Sequence, residues 1–255
     1  MEYKYITLDT TDNRLDITLK NPPVNIFTGA MMTELSEVLN DALKMDHLRA
    51  VVLKSTGKAW SAGADVSEHL PDSFAEMLRV FGSLCNQLFH FPLPTIAAVD
   101  GLCLGGGFEI AAMCDFIISS ERSYFGQPEI KVGVFPPIAC AHFVKRAGLS
   151  NTLEIVLTGD AFKAETMMRM ELVHKVVPVE SFAQDVDDFV GRLTCNSGTV
   201  LRLTKQAALD SLDLIPKDAV RQAIKIYAGD LMKTEDAVEG LNAFLEKRKA
   251  NWTDS

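Results

Sequence analysis

An α/β fold is the architecture the sequence predicts, and three features of its 255 residues carry the prediction. Short apolar runs of strand type alternate with stretches of helical apolar spacing. Loops of glycine and other small residues leave several of those runs. The last part of the chain reads almost entirely as helix. The length suits one large domain or two small ones, with a sizeable core either way.

The elements follow in order. Residues 3–9 and 14–19 are β-patterned runs flanking Thr11-Asp12-Asn13, which predicts an opening hairpin, and Asn21-Pro22-Pro23 breaks the chain after it. Residues 29–45 place Met31, Leu35, Val38, Leu39, Ala42 and Leu43 at helical spacing, so one face is expected to be buried. Arg49–Lys54 reads as a strand, and Ser55–Ala64 as the loop leaving it. The unit then recurs: a helix over about 72–90, a strand at Thr95–Val99, a glycine-rich turn at Gly101–Gly107, a short helix from near Phe108, and a strand at Asp115–Ser119. From about residue 136 the pattern is mostly helical, with one strand at Val173–Val177 and four helical segments between 180 and 249. No composition shift marks a linker, so this last region is expected to pack on the first part or on a neighbouring subunit.

Composition narrows the partners. With 25 Lys and Arg against 34 Asp and Glu, the net charge of −9 disfavours nucleic acid and acidic membranes, and a polyanionic ligand needs a local basic patch. The five cysteines, at 85, 103, 114, 140 and 195, form no C-x-x-C pair, which fits a reducing cytoplasm. Cys103 and Cys114 read as small buried hydrophobes. The polar, alternating start has no apolar leader segment, and no run approaches the roughly 18 apolar residues of a membrane span. The histidines at 47, 69, 90, 142 and 174 form neither H-x-H nor H-E-x-x-H, so no metal site is expected.

The most informative segment is Ala97–Asp115, AAVDGLCLGGGFEIAAMCD. Successive glycines before a helix bring unpaired N–H groups close to a ligand and suit an oxyanion, although a tight crossover would use the same residues. Ile110 stands where a dinucleotide fingerprint needs its last glycine, and no Gly-Lys-Ser/Thr follows. A second small-residue loop, Lys58 to Asp65, also leaves a strand, and Asp65 is placed to cap the helix that follows it. Glu109 and Glu129 both sit in apolar stretches, FEIAAM and QPEI, where a carboxylate is capped, paired, protonated or functional. Two carboxylates beside two N–H donors make an acid–base site for chemistry next to a carbonyl. Asp115 reads as structural.

Several stretches in order resemble the crotonase (enoyl-CoA hydratase/isomerase) superfamily: KAWSAGADV at 58–66, PTIAAVDGLCLGGGFEIAAMCD at 94–115, FGQPEIKVG at 125–133, VLTGD from 156, and FLEKRKANW at 244–252. The resemblance implies a spiral of ββα units over residues 1–195, with two roughly perpendicular sheets. It also implies a C-terminal helical region, 196–255, that trimerises, giving a homotrimer or a dimer of trimers. It places an oxyanion hole at the N–H groups of Ala64 and Gly106. Glu109 is to orient and deprotonate a water, and Glu129 to return a proton to carbon. Lys58, Ala62, Asp65 and Val66 are implied as coenzyme A contacts, together with Phe244 and Lys247, read as one helical turn apart and contributed by a neighbouring subunit. A lysine usual in the family is replaced near Pro23. The implied substrate is an acyl-CoA thioester, with coenzyme A part of it and no separate cofactor.

One departure bears on specificity. Where common hydratases continue in a P-G-x-G-G-T-Q-like run, this chain reads Val132-Gly133-Val134-Phe135-Pro136-Pro137-Ile138, which stiffens and reshapes the wall near the acyl group. Val134, Phe135 and Pro136 are therefore expected to line the acyl pocket. This form resembles the cyclohexa-1,5-diene-1-carbonyl-CoA hydratases of anaerobic aromatic degradation. A general short-chain enoyl-CoA hydratase or an isomerase is the rival within the superfamily, and an RNA-binding homologue, disfavoured by the net charge, is the rival outside enzymes.

Overall fold

The computed structural model describes residues 3–11 and 13–255; Asp12, in the turn of the expected hairpin, lies outside the described residues. Strands β1 (Ile6–Thr11) and β2 (Arg14–Leu19) pair antiparallel, Ile6 opposite Leu19 and Thr11 opposite Arg14. Helix α1 (Gly29–Ala42) starts where the Thr28 hydroxyl accepts from the Met31 N–H at 3.2 Å, and it buries the expected stripe apart from Leu43, which falls beyond the helix and is exposed.

Three turns of a spiral follow, each giving one strand to each of two sheets and then a helix. They are β3 (Ala50–Ser55), β4 (Ala59–Ser61) and α2 (Phe74–Phe89); then β5 (Thr95–Val99), β6 (Leu102–Leu104) and α3 (Gly106–Ala112); then β7 (Phe116–Ser120), β8 (Tyr124–Gly126) and α4 (Pro137–Thr158). Strand β9 (Ala161–Lys163), α5 (Ala164–Arg169) and β10 (Lys175–Val177) close the spiral. Helices α6 (Phe182–Thr194), α7 (Gly198–Ser211), α8 (Pro216–Gly229) and α9 (Glu235–Leu245) complete the chain. The large sheet has the order β1-β2-β3-β5-β7-β10, parallel from β2 onward; the small one has the order β4-β6-β8-β9, parallel except for β8 with β9.

The inner strands β3 and β5 of the large sheet are buried on both faces over most of their length, which explains their unbroken apolar runs, whereas β1 is exposed beyond Ile6. Alternate residues separate cleanly: Val51, Leu53, Ala97 and Val99 join the main core with α1 and α2, whereas Ala50, Val52, Ile96 and Ala98 meet Val186, Phe189 and Val190 of α6. Among the described residues no helix is long and apolar enough to cross a membrane.

Four corrections to the sequence reading concern short elements. Strands β4 and β6 run through stretches expected as loops, β8 lies where no element was expected, and β9 lies in a region expected as helix; three residues are too few to show period-two alternation. Helix α3 begins at Gly106, two residues before Phe108. Phe244 and Lys247 do not share a helical face: α9 ends at Leu245, and Lys247 adopts a left-handed conformation with φ of 57°. There the Arg248 N–H donates to the Ala243 carbonyl and the Lys247 N–H to that of Phe244, a helix-ending motif that glycine usually serves.

Asp115 holds the spiral to the C-terminal helices. Its Oδ2 accepts from the Thr95 N–H at 2.8 Å, from the Thr95 hydroxyl at 3.0 Å, and from Lys205 Nζ of α7 at 2.6 Å. Removing one partner of a mostly buried pair strands the other charge. Asp115→Ala is expected to destabilise the protein by about 3 kcal/mol in urea unfolding. Lys205→Met is expected to cost less, because Asp115 keeps both Thr95 donors; equal losses would contradict this reading.

Candidate active site

Strands β4, β6 and β8 lie side by side and parallel, so the loops leaving their C-terminal ends converge on one edge of the small sheet. Those loops carry Ala64, Gly106 and Glu129, each just beyond the strand end in successive turns of the spiral. Ala64 also pairs with Phe27, extending that edge by one bridge.

The N–H groups of Ala64 and Gly106 are free at this edge. The Gly63 N–H donates to Ser61 Oγ, the Asp65 N–H to the Phe27 carbonyl and the Gly105 N–H to the Gly126 carbonyl. Those of Ala64 and Gly106 donate to no protein acceptor among the described residues, Gly106 being the first residue of α3. They are close neighbours: a Cβ on Gly106 would lie 3.3 Å from the Ala64 nitrogen. Gly105 makes the turn possible. It has φ of 52°, and a side chain there would meet Glu129 Oε1 at 2.5 Å.

Glu109 is buried on α3, and its Oε1 accepts from the N–H groups of Ile138 and Ala139, each at 2.8 Å. These are the first free donors of α4, which starts with Pro137 and has no side-chain cap of its own, so a glutamate two elements away closes that helix end. The contact occupies one oxygen and leaves Oε2 free for the cavity that Glu109 lines. Burial pushes the Glu109 carboxyl up to about 8, outweighing the two N–H bonds, which favour the anion. Glu129 stands in the 3-10 turn Pro128–Val132, and burial raises its carboxyl too, against the opposing influence of His69. Gln127, wholly buried beside it, donates its amide to the two Glu129 oxygens at 3.3 and 3.1 Å when the nitrogen faces the carboxylate.

The cavity at this edge measures about 380 Å³. It is lined by Ala62, Ala64, Val66, Gly106, Glu109, Glu129, Val134, Phe135 and Pro136 of the residues expected from the sequence. The sequence reading missed its apolar wall of Leu70, Met77, Leu78 and Phe81, and also His69 and Lys131. Helical spacing from 72 to 90 foretells Met77, Leu78 and Phe81 of that wall, whereas Leu70 falls outside it and His69 has no local signal beyond lying four residues after Asp65.

Other expected contacts are not brought there. The Asp65 carboxylate caps the 3-10 turn Val66–His69, accepting from the Ser67 N–H at 2.9 Å. Lys58 precedes β4, so it lies at the opposite end of the small sheet, in a separate hollow with Gly101 and Arg122. Phe244 is 83% exposed at the end of α9, and neither it nor Lys247 lines the cavity of its own chain.

Comparison with known proteins agrees with this geometry. The enoyl-CoA hydratase/isomerase family profile matches residues 10–255. The chain is 35% identical over 250 residues to a cyclohexa-1,5-dienecarbonyl-CoA hydratase of Thauera aromatica, covering 97% of this chain and 95% of that one. It is 33% identical to a probable mitochondrial enoyl-CoA hydratase of Dictyostelium discoideum, over 92% and 86% of the two chains. The crystal structure of an enoyl-CoA hydratase from Bacillus anthracis superposes with a TM-score of 0.94 at 26% identity, over 99% of this chain and all of that one. With two free N–H donors and two glutamates at one edge of a ββα spiral, the chain belongs to the enoyl-CoA hydratase/isomerase family.

Proposed function

We propose that this protein adds water to a cyclic conjugated dienoyl-CoA thioester, converting cyclohexa-1,5-diene-1-carbonyl-CoA to 6-hydroxycyclohex-1-ene-1-carbonyl-CoA. The observation that carries the hydratase class is the meeting of Glu109 and Glu129 in one cavity with the free N–H groups of Ala64 and Gly106. The cyclic substrate is supported by the Val134-Phe135-Pro136-Pro137 wall, by the apolar face of Met77, Leu78 and Phe81, and by the likeness to the Thauera enzyme. An apolar cavity of about 150 Å³ already admits a benzene ring, so 380 Å³ holds a six-membered ring with its thioester.

In this mechanism the thioester oxygen sits between the Ala64 and Gly106 N–H groups, which stabilise the negative charge it gains. Glu109 takes a proton from water as its oxygen attacks the β-carbon, and the enolate formed spreads over the second double bond. Protonation at the far end of that system leaves one double bond conjugated with the carbonyl. Every atom added comes from water, and coenzyme A is part of the substrate. Ala62 and Val66, which line the cavity, are assigned to contacts with coenzyme A. Phe244 and Lys247 are assigned to a neighbouring subunit's site, in a trimer or dimer of trimers built through the C-terminal region. Exposed apolar residues there, among them Ile215, Ile224, Tyr227, Leu241 and Leu245, support the assembly. The five free thiols fit a reducing cytoplasm.

Turnover of cyclohexadienoyl-CoA and crotonyl-CoA, with products identified, tests the substrate. The cyclic thioester is expected to show the higher kcat/KM, and faster hydration of crotonyl-CoA would overturn the cyclic assignment; double-bond migration without water addition would make the protein an isomerase.

Glu109 gives a second test. As a base it acts ionised, a state that burial makes the minor one below about pH 8, so kcat/KM is expected to rise with pH and level off above that. Its effect on folding follows from the same values. Below about pH 4.5 native and unfolded chains both hold the proton; between there and about 8 only the native chain does, so this carboxyl lowers stability as pH rises, with no further loss above. Glu109→Gln keeps an oxygen for Ile138 and Ala139. It is expected to melt roughly 5 °C above the parent at pH 8 and level with it near the unfolded value, while losing about 100-fold or more in kcat. Glu129→Gln is expected to lose activity similarly, and survival of activity in either variant rejects that residue's role.

A further inference from the structure

We propose that His69 is a third acid–base group of this site, giving the proton to the ring carbon remote from the thioester while the two glutamates handle the water. The inference rests on the cyclic-diene reading above and extends it to a residue that the sequence motifs do not single out.

The imidazole is held in one orientation. His69 closes the 3-10 turn Val66–His69, and its Nδ1 lies 2.9 Å from the Asp65 carbonyl oxygen. A carbonyl only accepts, so Nδ1 carries a hydrogen and Nε2 is the atom that gains and loses the working proton. Asp65 is itself fixed, through its carboxylate on the Ser67 N–H and hydroxyl at 2.9 and 2.7 Å and through its own N–H on the Phe27 carbonyl at 3.0 Å. Ala64 is the residue before it, so the ring stands on the same rigid segment as one of the two oxyanion donors.

The cavity offers few alternatives. Its titratable lining residues are His69, Glu109, Glu129 and Lys131. Lys131 directs its ammonium to Asp160 at 3.3 Å. The two carboxylates come from α3 and from the turn after β8, next to the Gly105-Gly106 corner, whereas His69 comes from the turn after β4. Charge on His69 opposes the rise that burial imposes on Glu129, which puts the two within electrostatic reach.

The chemistry calls for such a second donor. In this addition the oxygen bonds to the β-carbon and the hydrogen to the ring atom opposite it, so a group beside the attacking water is displaced from the atom that takes the proton. As the C–O bond forms, the glutamates accept the water's proton and the π electrons move onto the thioester oxygen. Their return forms the C–H bond with the Nε2 proton, leaving His69 neutral. The proton held by the carboxylates then recharges it, and nothing is oxidised or reduced. A linear enoyl thioester has no remote carbon, and its α-carbon takes the proton from Glu129.

The experiment compares the parent with His69→Gln, whose amide can still donate to the Asp65 carbonyl, and with His69→Ala, on cyclohexadienoyl-CoA and crotonyl-CoA. The ratio of cyclic to linear kcat is expected to fall about 100-fold in both variants, and imidazole added to His69→Ala is expected to restore part of the cyclic activity alone. An unchanged ratio, whether both rates hold or both fall together, overturns the role of His69. A parent that does not hydrate the cyclic thioester overturns the substrate reading and this inference with it, so the two failures are told apart by the parent alone.

Discussion

The site depends on the parallel pairing of three strands of three residues each. Neighbouring strands in a sheet lie about 4.8 Å apart, so β4, β6 and β8 deliver the ends of their loops within the span of one small ligand. Each ββα turn of the spiral then supplies one part: an N–H from Ala64, an N–H from Gly106 with Glu109 on the helix behind it, and the carboxylate of Glu129. Small residues are required where these loops touch, as the close approach of Gly106 to the Ala64 nitrogen shows. The large sheet, whose inner strands β3 and β5 are buried on both faces, supplies the strand that precedes each of these short ones.

Glu109 couples this frame to the chemistry. One of its oxygens closes the start of α4, and the other is left for the cavity, so the residue proposed to handle the proton also fixes the wall formed by Pro136 and Pro137. Burial makes its charge costly and holds the carboxyl near neutrality in its titration. A group useful as an acid or base at pH 7 is therefore one that weakens the fold at that pH, and the N–H bonds from α4 counter only part of the cost of burial.

Much of this was legible in the sequence, for identifiable reasons. Helices α1 and α2 and strands β3 and β5 announce themselves through apolar periodicity or unbroken apolar runs. Glu109 and Glu129 stand out as carboxylates among apolar neighbours, and the glycines before α3 mark a close approach. Strands β4, β6, β8 and β9 are too short to carry a local pattern and exist because of their partners. Lys58 and Ala64 are close in sequence, yet one precedes β4 and the other follows it, which sends them to opposite ends of the small sheet. The left-handed turn at Lys247 is invisible without the hydrogen bonds that end α9. His69 belongs to the same class, since only the folded turn joins its ring to the Asp65 carbonyl and to the cavity.

In the proposed mechanism the N–H groups of Ala64 and Gly106 together grip the thioester oxygen. Infrared difference spectra of a thioester labelled with carbon-13 at its carbonyl, bound to the Glu109→Gln protein so that it does not turn over, test it most directly. A carbonyl band at lower frequency than in water is expected, because two oriented donors polarise the bond more than solvent does. A band at or above its frequency in water would contradict it.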